Sequence, residues 1–275
     1  NAQIDIVLIV EPKTKNRIMD RQELTEKHSF VNDSIFRLKT FLLIGNRILK
    51  NQLQPTKKYT DNQELINFPV IGFSESDLWN PFDNKENWVL TAGKIENLRI
   101  AAKKLNGIEI KANEVFSFWK HIGNPNFGQG FVIGREIREG CIIPTVAGGL
   151  CQISNALYDA ALKANFKILE RHKHTKVIKG SLAEQDRDAT VKWNYVDLRF
   201  KSSFDFRIEA KLSVDKLIVV FRSKQKNKKS TNNDVELRNS SKLNDCYSCG
   251  NPTCFKHPER TSEMQEISTT TFILD

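Results

Sequence analysis

The sequence has no long apolar run. Its longest uninterrupted apolar stretches are five residues or shorter, namely Ile6–Val10, Phe41–Ile44 and Leu217–Phe221. A helix that spans a bilayer needs about 20 such residues, so we expect no transmembrane segment. No basic segment leads into an apolar one with a small-residue cleavage site, which is the pattern of a secretory leader. The sequence therefore predicts a cytoplasmic protein.

Cysteine is scarce and unevenly distributed. Two of the five cysteines, Cys141 and Cys151, lie in the middle of the chain, and the other three lie near its end. A small secreted protein held together by disulfides has an even number of cysteines spread along its length. The observed distribution instead indicates a reducing compartment, with individual thiols in the body and a metal cluster in the tail.

The tail contains four residues with the spacing of metal ligands: Cys246, Cys249, Cys254 and His257. Three thiolates and an imidazole in two close pairs suit tetrahedral zinc, and so polar a segment has little else to fold around. An iron–sulfur cluster, or no metal, are the alternatives. Because four protein ligands would fill the coordination sphere, we expect a structural zinc that recruits a protein partner. Catalysis would then need no cofactor.

Positive charge is in excess, but no nucleic-acid motif accompanies it. The formal net charge is +9 and the isoelectric point is about 9.2, yet the basic residues are scattered. The sequence has no helix-turn-helix signature, aromatic RNA-binding strand or glycine-rich phosphate loop. We therefore expect a lysine-rich solvated surface, and a nucleic-acid binder built from a basic helix and the zinc-binding tail is the least favoured alternative.

Hydrophobic periodicity predicts an α+β protein with a mixed or antiparallel sheet. Residues 34–54 have the pattern of a basic amphipathic helix, with Gly45 as a potential break. Such a helix usually docks on a core, although a membrane surface or an acidic partner are alternatives. A second helix, at 92–106, has Thr91 as its expected N-cap. The other predicted elements are a strand at 4–10, a hairpin at 108–119, a central helix starting at Cys151, strands at 167–178 and 189–200, and a hairpin at 206–222.

Composition divides the chain into four segments. The stretch 223–245 has hardly an apolar side chain, so it cannot bury enough surface to offset the entropy of ordering and is predicted to be a flexible linker. The glycine-rich stretch 123–150 predicts tight turns ahead of the central helix. The segments are an N-terminal strand and basic helix (1–65), the main domain (66–222), the linker (223–245) and a zinc-binding segment (246–260).

Cys151 is the candidate nucleophile. A thiol reacts as its thiolate, which a helix N-terminus and a neighbouring imidazole both favour. Cys151 follows two glycines and opens a predicted helix, while His172 and His174 lie about twenty residues further on, on one face of a predicted strand. Either imidazole fits the role of general base, and His174 is the better candidate.

Other polar residues complete this hypothesis. Asp188 or Asp197 would orient the histidine, and Gln152 or the backbone N–H of Cys151 would stabilise an oxyanion. The same sequence also allows a structural interpretation, because free cysteine is often a buried packing residue.

Charged and aromatic residues near these positions are candidates for substrate binding. Glu170 and Arg171 would either form a structural ion pair or grip a substrate carboxylate. Three aromatic residues would either pack in the core or form the floor of a peptide or sugar site: Trp119, Trp193 and Tyr195.

Four strings of the sequence resemble the VanW family in order and spacing. They are FSFWKHIG (116–123), GGLCQISNALYDAAL (148–162), ERHKHT (170–175) and KWNYVDLRFK (192–201). The resemblance implies a bacterial protein associated with cell-envelope metabolism, in a family without an established reaction. Two positions depart from the family pattern. Ala147 stands where relatives often have glycine, and some relatives lack an aspartate at the position of Asp188.

Together these features predict a cysteine-dependent enzyme. The order of a cysteine on a helix, a histidine and then an aspartate is that of papain-like and transglutaminase-like enzymes. It predicts acyl transfer or amide hydrolysis through a thioester. The resemblance implies a peptide or an envelope precursor as substrate. The alternative is a non-catalytic module that binds an envelope peptide or glycan, with the zinc tail recruiting a partner.

Overall fold

The computed structural model describes residues 30–79, 88–138, 141–174 and 182–225. All of these except Phe30 belong to one compact unit, Val31–Cys249. The predicted strand at 4–10 and the four predicted zinc ligands lie outside the described residues, as does most of the predicted linker.

The described residues form four α-helices and nine strands. The helices are α1 (Phe30–Leu53), α2 (Trp88–Leu105), α3 (Phe118–Ile122) and α4 (Leu150–Lys163). The strands are β1 (Val70–Asp77), β2 (Glu109–Ile110), β3 (Val115–Ser117), β4 (Ile133–Arg138), β5 (Cys141–Val146), β6 (Lys167–Glu170), β7 (Arg199–Lys201), β8 (Phe206–Leu212) and β9 (Lys216–Arg222).

The strands form three antiparallel sheets. The largest has the order β1-β9-β8-β2, the second has the order β3-β7-β6, and the third is the pair β4-β5. The predicted α+β class with an antiparallel sheet is therefore confirmed. The predicted hairpin at 206–222 is also confirmed, because β8 and β9 are neighbours in register from Arg207–Arg222 to Leu212–Leu217.

The core lies between the helices and the four-stranded sheet. Helices α2 and α4 pack on this sheet, and the predicted apolar stripe of α4 is buried: Ile153, Ala156, Leu157, Ala160 and Ala161. Beside it four buried rings have centroids 4.5–6.2 Å apart: Phe166, Phe200, Phe206 and Phe221. Burying one such ring contributes about 1.5–3 kcal/mol, so this cluster ties three strands and the end of α4 together.

The predicted hairpin at 108–119 is wrong. Strand β2 pairs with β8, and β3 pairs with β7, so the two segments belong to different sheets. The chain then enters α3, where the Ser117 hydroxyl accepts a hydrogen bond from the Lys120 backbone N–H and caps the helix. Both strands find partners far along the chain, and local patterning carries no information about such pairing.

Two predicted strands are shorter than expected. Strand β6 covers only the start of the predicted strand 167–178, and β7 lies at the end of the predicted strand 189–200. In the second case Asn194 has a φ of 70° in a tight turn closed by a bridge between Lys192 and Val196. This left-handed conformation interrupts the extended backbone that the alternating side chains had indicated.

The starts of α2 and α4 differ slightly from the predicted ones. Helix α2 begins at Trp88, before the predicted start, so Thr91 is a buried residue inside the helix and not its N-cap. Helix α4 begins at Leu150, which makes Cys151 its second residue.

Helix α1 differs from its prediction in two respects. It is continuous through Gly45, so the predicted break is wrong. It meets the body through polar contacts, in which Arg47 bonds to Glu170 and Arg199 bonds to Asn51. Leu43 and Ile44 are half-buried, but seven other large apolar side chains of α1 are exposed, which contradicts the prediction that its apolar face docks on the core.

Candidate active site

Two glycines bring Cys151 to the start of α4. A Cβ atom at Gly148 would lie 2.4 Å from the carbonyl oxygen of Gly134, so only glycine allows this close approach to β4. Gly149 is the N-cap and has a φ of 100°, which side chains rarely tolerate. The helix leaves the backbone N–H groups of Leu150 and Cys151 without intrahelical acceptors, and their dipoles favour negative charge beside the sulfur.

His174 connects the thiol to a carboxylate. Its Nδ1 atom lies 2.9 Å from Asp188 Oδ2, and its backbone N–H donates to the same oxygen at 2.7 Å. The imidazole also interacts with the Cys151 side chain, which raises the pKa of His174, while the thiol itself donates to the Val191 carbonyl oxygen at 3.6 Å. Because Nδ1 faces the carboxylate, Nε2 is the ring nitrogen left for the sulfur. Cys151 is half-buried, so the thiol, imidazole and carboxylate lie in sequence at a partly accessible position.

The electrostatics of this group favour a charged imidazole. Burial lowers the pKa of His174, but its hydrogen bonds to Asp188 and Cys151 outweigh that effect and raise the pKa to about 10. Burial raises the pKa of Asp188, but the hydrogen bonds from His174 bring it below its ordinary value. The carboxylate is therefore ionised at neutral pH, and the imidazole holds its proton between two acceptors.

Arg171 fixes the far side of the carboxylate. Its Nε atom donates to the Asp188 carbonyl oxygen at 2.7 Å, and one terminal nitrogen donates to Asp188 Oδ1 at 2.8 Å. The guanidinium carbon lies 4.8 Å from the ring centroid of Tyr158. Each carboxylate oxygen of Asp188 thus has its own partner, Arg171 at Oδ1 and His174 at Oδ2. Arg171 is therefore ion-paired with both Asp188 and Asp186, and not with Glu170.

Glu170 and His172 belong to a neighbouring cluster. Arg47 donates to Glu170 Oε2 at 2.8 Å, and His172 Nε2 lies 3.3 Å from Glu170 Oε1. Burial raises the pKa of Glu170, but the hydrogen bonds from His172 and Arg47 lower it to about 2. The two histidines, which were expected to share a strand face, therefore have different carboxylate partners.

Two further candidates have structural partners. The Gln152 side-chain amide donates to the Ser76 hydroxyl at 3.0 Å and to the Asp77 carbonyl at 2.7 Å, which ties α4 to β1. Asp197 accepts from the Ser117 hydroxyl at 2.7 Å and from Arg199 at 2.8 Å. Asp188, and not Asp197, is therefore the carboxylate that lies against the histidine.

The aromatic candidates lie on α3 and on the turn before β7. The Trp119 indole N–H donates to the Val196 carbonyl at 2.7 Å, and its ring meets that of Trp193 edge to face with centroids 5.4 Å apart. The Tyr195 backbone carbonyl accepts from Arg47 at 3.0 Å. Trp193 remains 39% exposed, so it is the one of these three that presents a large apolar surface to solvent.

Sequence reasoning missed two residues that hold the site together. The Ser154 hydroxyl donates to the Ala189 carbonyl at 2.6 Å, and Asn155 Oδ1 accepts from the Ala189 N–H at 2.7 Å. Both side chains therefore clamp the segment after Asp188 against α4. Polar residues in an otherwise apolar helix, within the string GGLCQISN, were the signal that could have identified them.

The described ranges provide neither a metal centre nor a membrane span. No group of three or more histidine, cysteine, aspartate or glutamate side chains within them could hold a metal ion. Among the same residues, none of the helices combines the length and apolar character that crossing a bilayer requires.

Known proteins match the part of the chain that contains this site. A family model described as VanW like protein matches residues 93–222. The chain is 33% identical over 140 residues to the vancomycin B-type resistance protein VanW of Enterococcus faecalis, covering 48% of this chain and 50% of that protein. It is 31% identical over 109 residues to an uncharacterized protein, YoaR, of Bacillus subtilis, covering 40% of this chain and 35% of that protein.

The chain thus spans about half the length of the first relative and about a third of the second. No solved structure matches the chain. The matched region contains Cys151, His174, Asp188 and Arg171 together with most of the sheet framework. Residues 93–222 are thus a VanW-like region of the chain.

Proposed function

We propose that this protein is a cysteine-dependent enzyme that cleaves or transfers an acyl group, with Cys151 as nucleophile. The observation that supports the proposal is the His174 imidazole, which bonds to the Asp188 carboxylate and interacts with the Cys151 side chain. A thiol that served only for packing would need no imidazole, and the imidazole would need no ionised carboxylate behind it.

The reaction proceeds through a thioester. The Cys151 sulfur, as a thiolate beside the protonated His174, attacks the carbonyl carbon of an amide. The resulting oxyanion lies near the free backbone N–H of Cys151, because the Gln152 side chain is engaged with β1. The carbon–nitrogen bond then breaks, and His174 gives its proton to the leaving amine. Water or a second amine attacks the thioester and loses a proton to His174, and the carbon–sulfur bond breaks to release Cys151 as the thiolate.

Asp188 and Arg171 act in this scheme as positioning residues. The carboxylate holds the imidazole in one orientation and stabilises its positive charge, as the third member of such a triad does. Arg171 occupies the other carboxylate oxygen, so the carboxylate cannot rotate away from the ring without losing an ion pair.

The substrate class follows from the name of a relative. The Enterococcus faecalis protein is a vancomycin B-type resistance protein, and we propose a peptide of the cell envelope, or its precursor, as the acyl donor. Trp193, exposed beside the site segment, offers an apolar surface for such a chain. The cytoplasmic location expected from the sequence stays a prediction.

The decisive experiment is the alkylation rate of Cys151 with iodoacetamide, followed by peptide mass spectrometry to identify the modified cysteine. In the native chain we expect Cys151 to react at pH 7 on the order of tenfold faster than in a His174→Ala variant, because the imidazole supplies the thiolate. His172→Ala is the matched control, since that imidazole bonds to Glu170, and its rate should stay within about twofold of the native rate.

Three results would count against the proposal. Equal rates in the native and His174→Ala chains would show that the imidazole does not activate the sulfur. Equal losses in both histidine variants would point to a general structural effect. An envelope peptide that binds equally well to Cys151→Ala, without an acyl adduct on Cys151 in the native chain, would favour the non-catalytic binding module.

A further inference from the structure

Helix α1 exposes an apolar face of unusual extent. Seven large apolar side chains on it are between 44% and 73% exposed: Ile35, Leu38, Phe41, Leu42, Ile48, Leu49 and Leu53. Five of them recur at spacings of three, four and seven residues, which places them on one side of a helix. We call this set of seven the α1 stripe.

The helix is attached to the body by its opposite side. Arg47, which is 6% exposed, bonds to Glu170 and to the Tyr195 carbonyl, and Asn51 accepts from Arg199. On a helix Arg47 lies about 120° from Ile35. The α1 stripe therefore points away from the body. In a soluble protein the apolar face of a surface helix usually packs against the body, and its polar face is exposed to solvent.

The charge around the stripe is mainly positive. The sequence from Ser34 to Thr60 contains no aspartate or glutamate. It contains six basic residues: Arg37, Lys39, Arg47, Lys50, Lys57 and Lys58. Asp33, just before this stretch, is the one acidic residue of α1. An apolar stripe flanked mainly by basic residues is the composition of helices that lie in the interface of an anionic membrane.

The same charge argues against a second copy of the chain as the occupant. Helices that pair through an apolar stripe usually have opposite charges beside it. Two copies of this helix would bring like charges together on both flanks, which opposes association. Anionic headgroups instead complement the lysines and arginines while the acyl chains receive the apolar side chains.

We propose that α1 is a membrane-docking helix, whose stripe enters the headgroup region of a bilayer rich in anionic phospholipid while Arg47 keeps the body attached. The contact is peripheral and does not span the bilayer. It requires no chemistry at Cys151, so a Cys151→Ser variant should bind membranes as the native chain does.

The test is co-sedimentation of the full chain with vesicles of equal parts phosphatidylglycerol and phosphatidylcholine. We expect binding to these vesicles, weaker binding as sodium chloride is raised, and much weaker binding to pure phosphatidylcholine. Leu38→Ser with Leu42→Ser should lower the affinity on the order of tenfold or more, because two exposed anchors are lost. The matched control is Val214→Ser, which alters an apolar residue that is 94% exposed at the turn between β8 and β9.

Charge is tested in the same assay. Lys39→Glu with Lys50→Glu should lower the affinity for the anionic vesicles on the order of tenfold. Lys167→Glu with Lys211→Glu reverses the same number of charges at exposed positions on β6 and β8 and should have a much smaller effect.

Specific outcomes would overturn the proposal. The first is an absence of binding to the anionic vesicles, in which case another part of the chain or a protein covers the stripe. The second is binding that Lys167→Glu with Lys211→Glu reduces as much as Lys39→Glu with Lys50→Glu, which would indicate attraction by net charge alone. The third is a dimer in light scattering that Leu38→Ser with Leu42→Ser dissociates, in the absence of vesicle binding; the occupant would then be a second copy.

Discussion

At the scale of single residues, Asp188 is the group whose chemistry can be separated from its bulk. Asp188→Asn keeps the side-chain shape but removes the negative charge that faces His174 Nδ1 at 2.9 Å. We expect iodoacetamide to modify Cys151 about tenfold more slowly at neutral pH, because the imidazolium loses its counter-ion. The pH profile of alkylation should also move toward that of an ordinary thiol, a shift that a purely structural role would not cause.

Asp186→Asn is the matched control for this experiment. Asp186 also bonds to Arg171, at 2.8 Å, but its side chain is 57% exposed and it lies against the guanidinium and not the imidazole. Its alkylation rate and pH profile should match those of the native chain. If Asp188→Asn behaves in the same way, the carboxylate has no role in activating the sulfur.

Ala147 is strained where relatives often have glycine. It has a φ of 59°, and a left-handed conformation costs an L-residue about 1–2 kcal/mol. Glycine at this position would relieve the strain, but the methyl group of Ala147 is buried, so its removal also loses some packing energy. We expect Ala147→Gly to raise the free energy of unfolding by about 0.5 kcal/mol, measured by urea denaturation. Ala156→Gly, inside α4, is the contrasting change and should destabilise. A lower stability for Ala147→Gly would show that the methyl packing outweighs the strain.

At the scale of elements, the tail yields a prediction from its ligand set alone. Purified chain should contain one zinc per molecule by mass spectrometry of the metal, because Cys246, Cys249, Cys254 and His257 complete a tetrahedral set. Cys249→Ser should lose most of the metal, while Cys141→Ser should retain it. Iodoacetamide reactivity of Cys151 should be the same with and without a chelator, since catalysis is proposed to need no metal. Iron with sulfide, or a metal-free chain, would refute the zinc site.

Elements whose partners are local were predictable, and those with distant partners were not. The hairpin β8–β9 was correct because its alternation and its turn lie in one short stretch of sequence. The segment that contains β2 and β3 has the same local features, but its strands pair with β8 and β7. Helix periodicity identified α1 and α4 well. It could not reveal which side of α1 faces the body, because Arg47 is anchored by a residue far along the chain.

The candidate site, too, was predictable only in part. The start of a helix, the imidazole and the carboxylate could each be chosen from residue type and chain order, and the structure brings Cys151, His174 and Asp188 together. The selection among alternatives could not be made, because His172, Gln152 and Asp197 are equally suitable chemically. Their hydrogen bonds to Glu170, to β1 and to Arg199 became visible only in three dimensions.

At the scale of the whole molecule, two histidines with opposite pKa shifts, the buried His121 and the half-buried His174, set the pH dependence of stability. His121 stacks between Tyr59 and Phe116, and burial lowers its pKa from 6.5 to about 4. Its neutral form is therefore favoured in the folded state, and its contribution is complete above pH 6.5. It is lost as the pH falls toward 4, at a cost of roughly 3 kcal/mol. The pKa of Glu170 is lowered from 4.5 to about 2. Its contribution to stability is therefore also lost as the pH falls below 4.5.

His174 has the opposite sign. Its pKa is raised above 6.5, to about 10, so its stabilising contribution is complete below pH 6.5 and is lost as the pH rises toward 10. Stability therefore falls on the acidic side because of His121 and on the alkaline side because of His174, so we expect its maximum near pH 6.5. We call these two sides the acidic and the alkaline limb of the stability curve. Urea denaturation at about pH 5, 6.5 and 9 measures both limbs, and His174→Gln should flatten the alkaline one while leaving the acidic one intact. If stability instead rises steadily to pH 9, the imidazole of His174 is not held in its charged form by Asp188 and Cys151, and the proposed activation of the thiol fails with it.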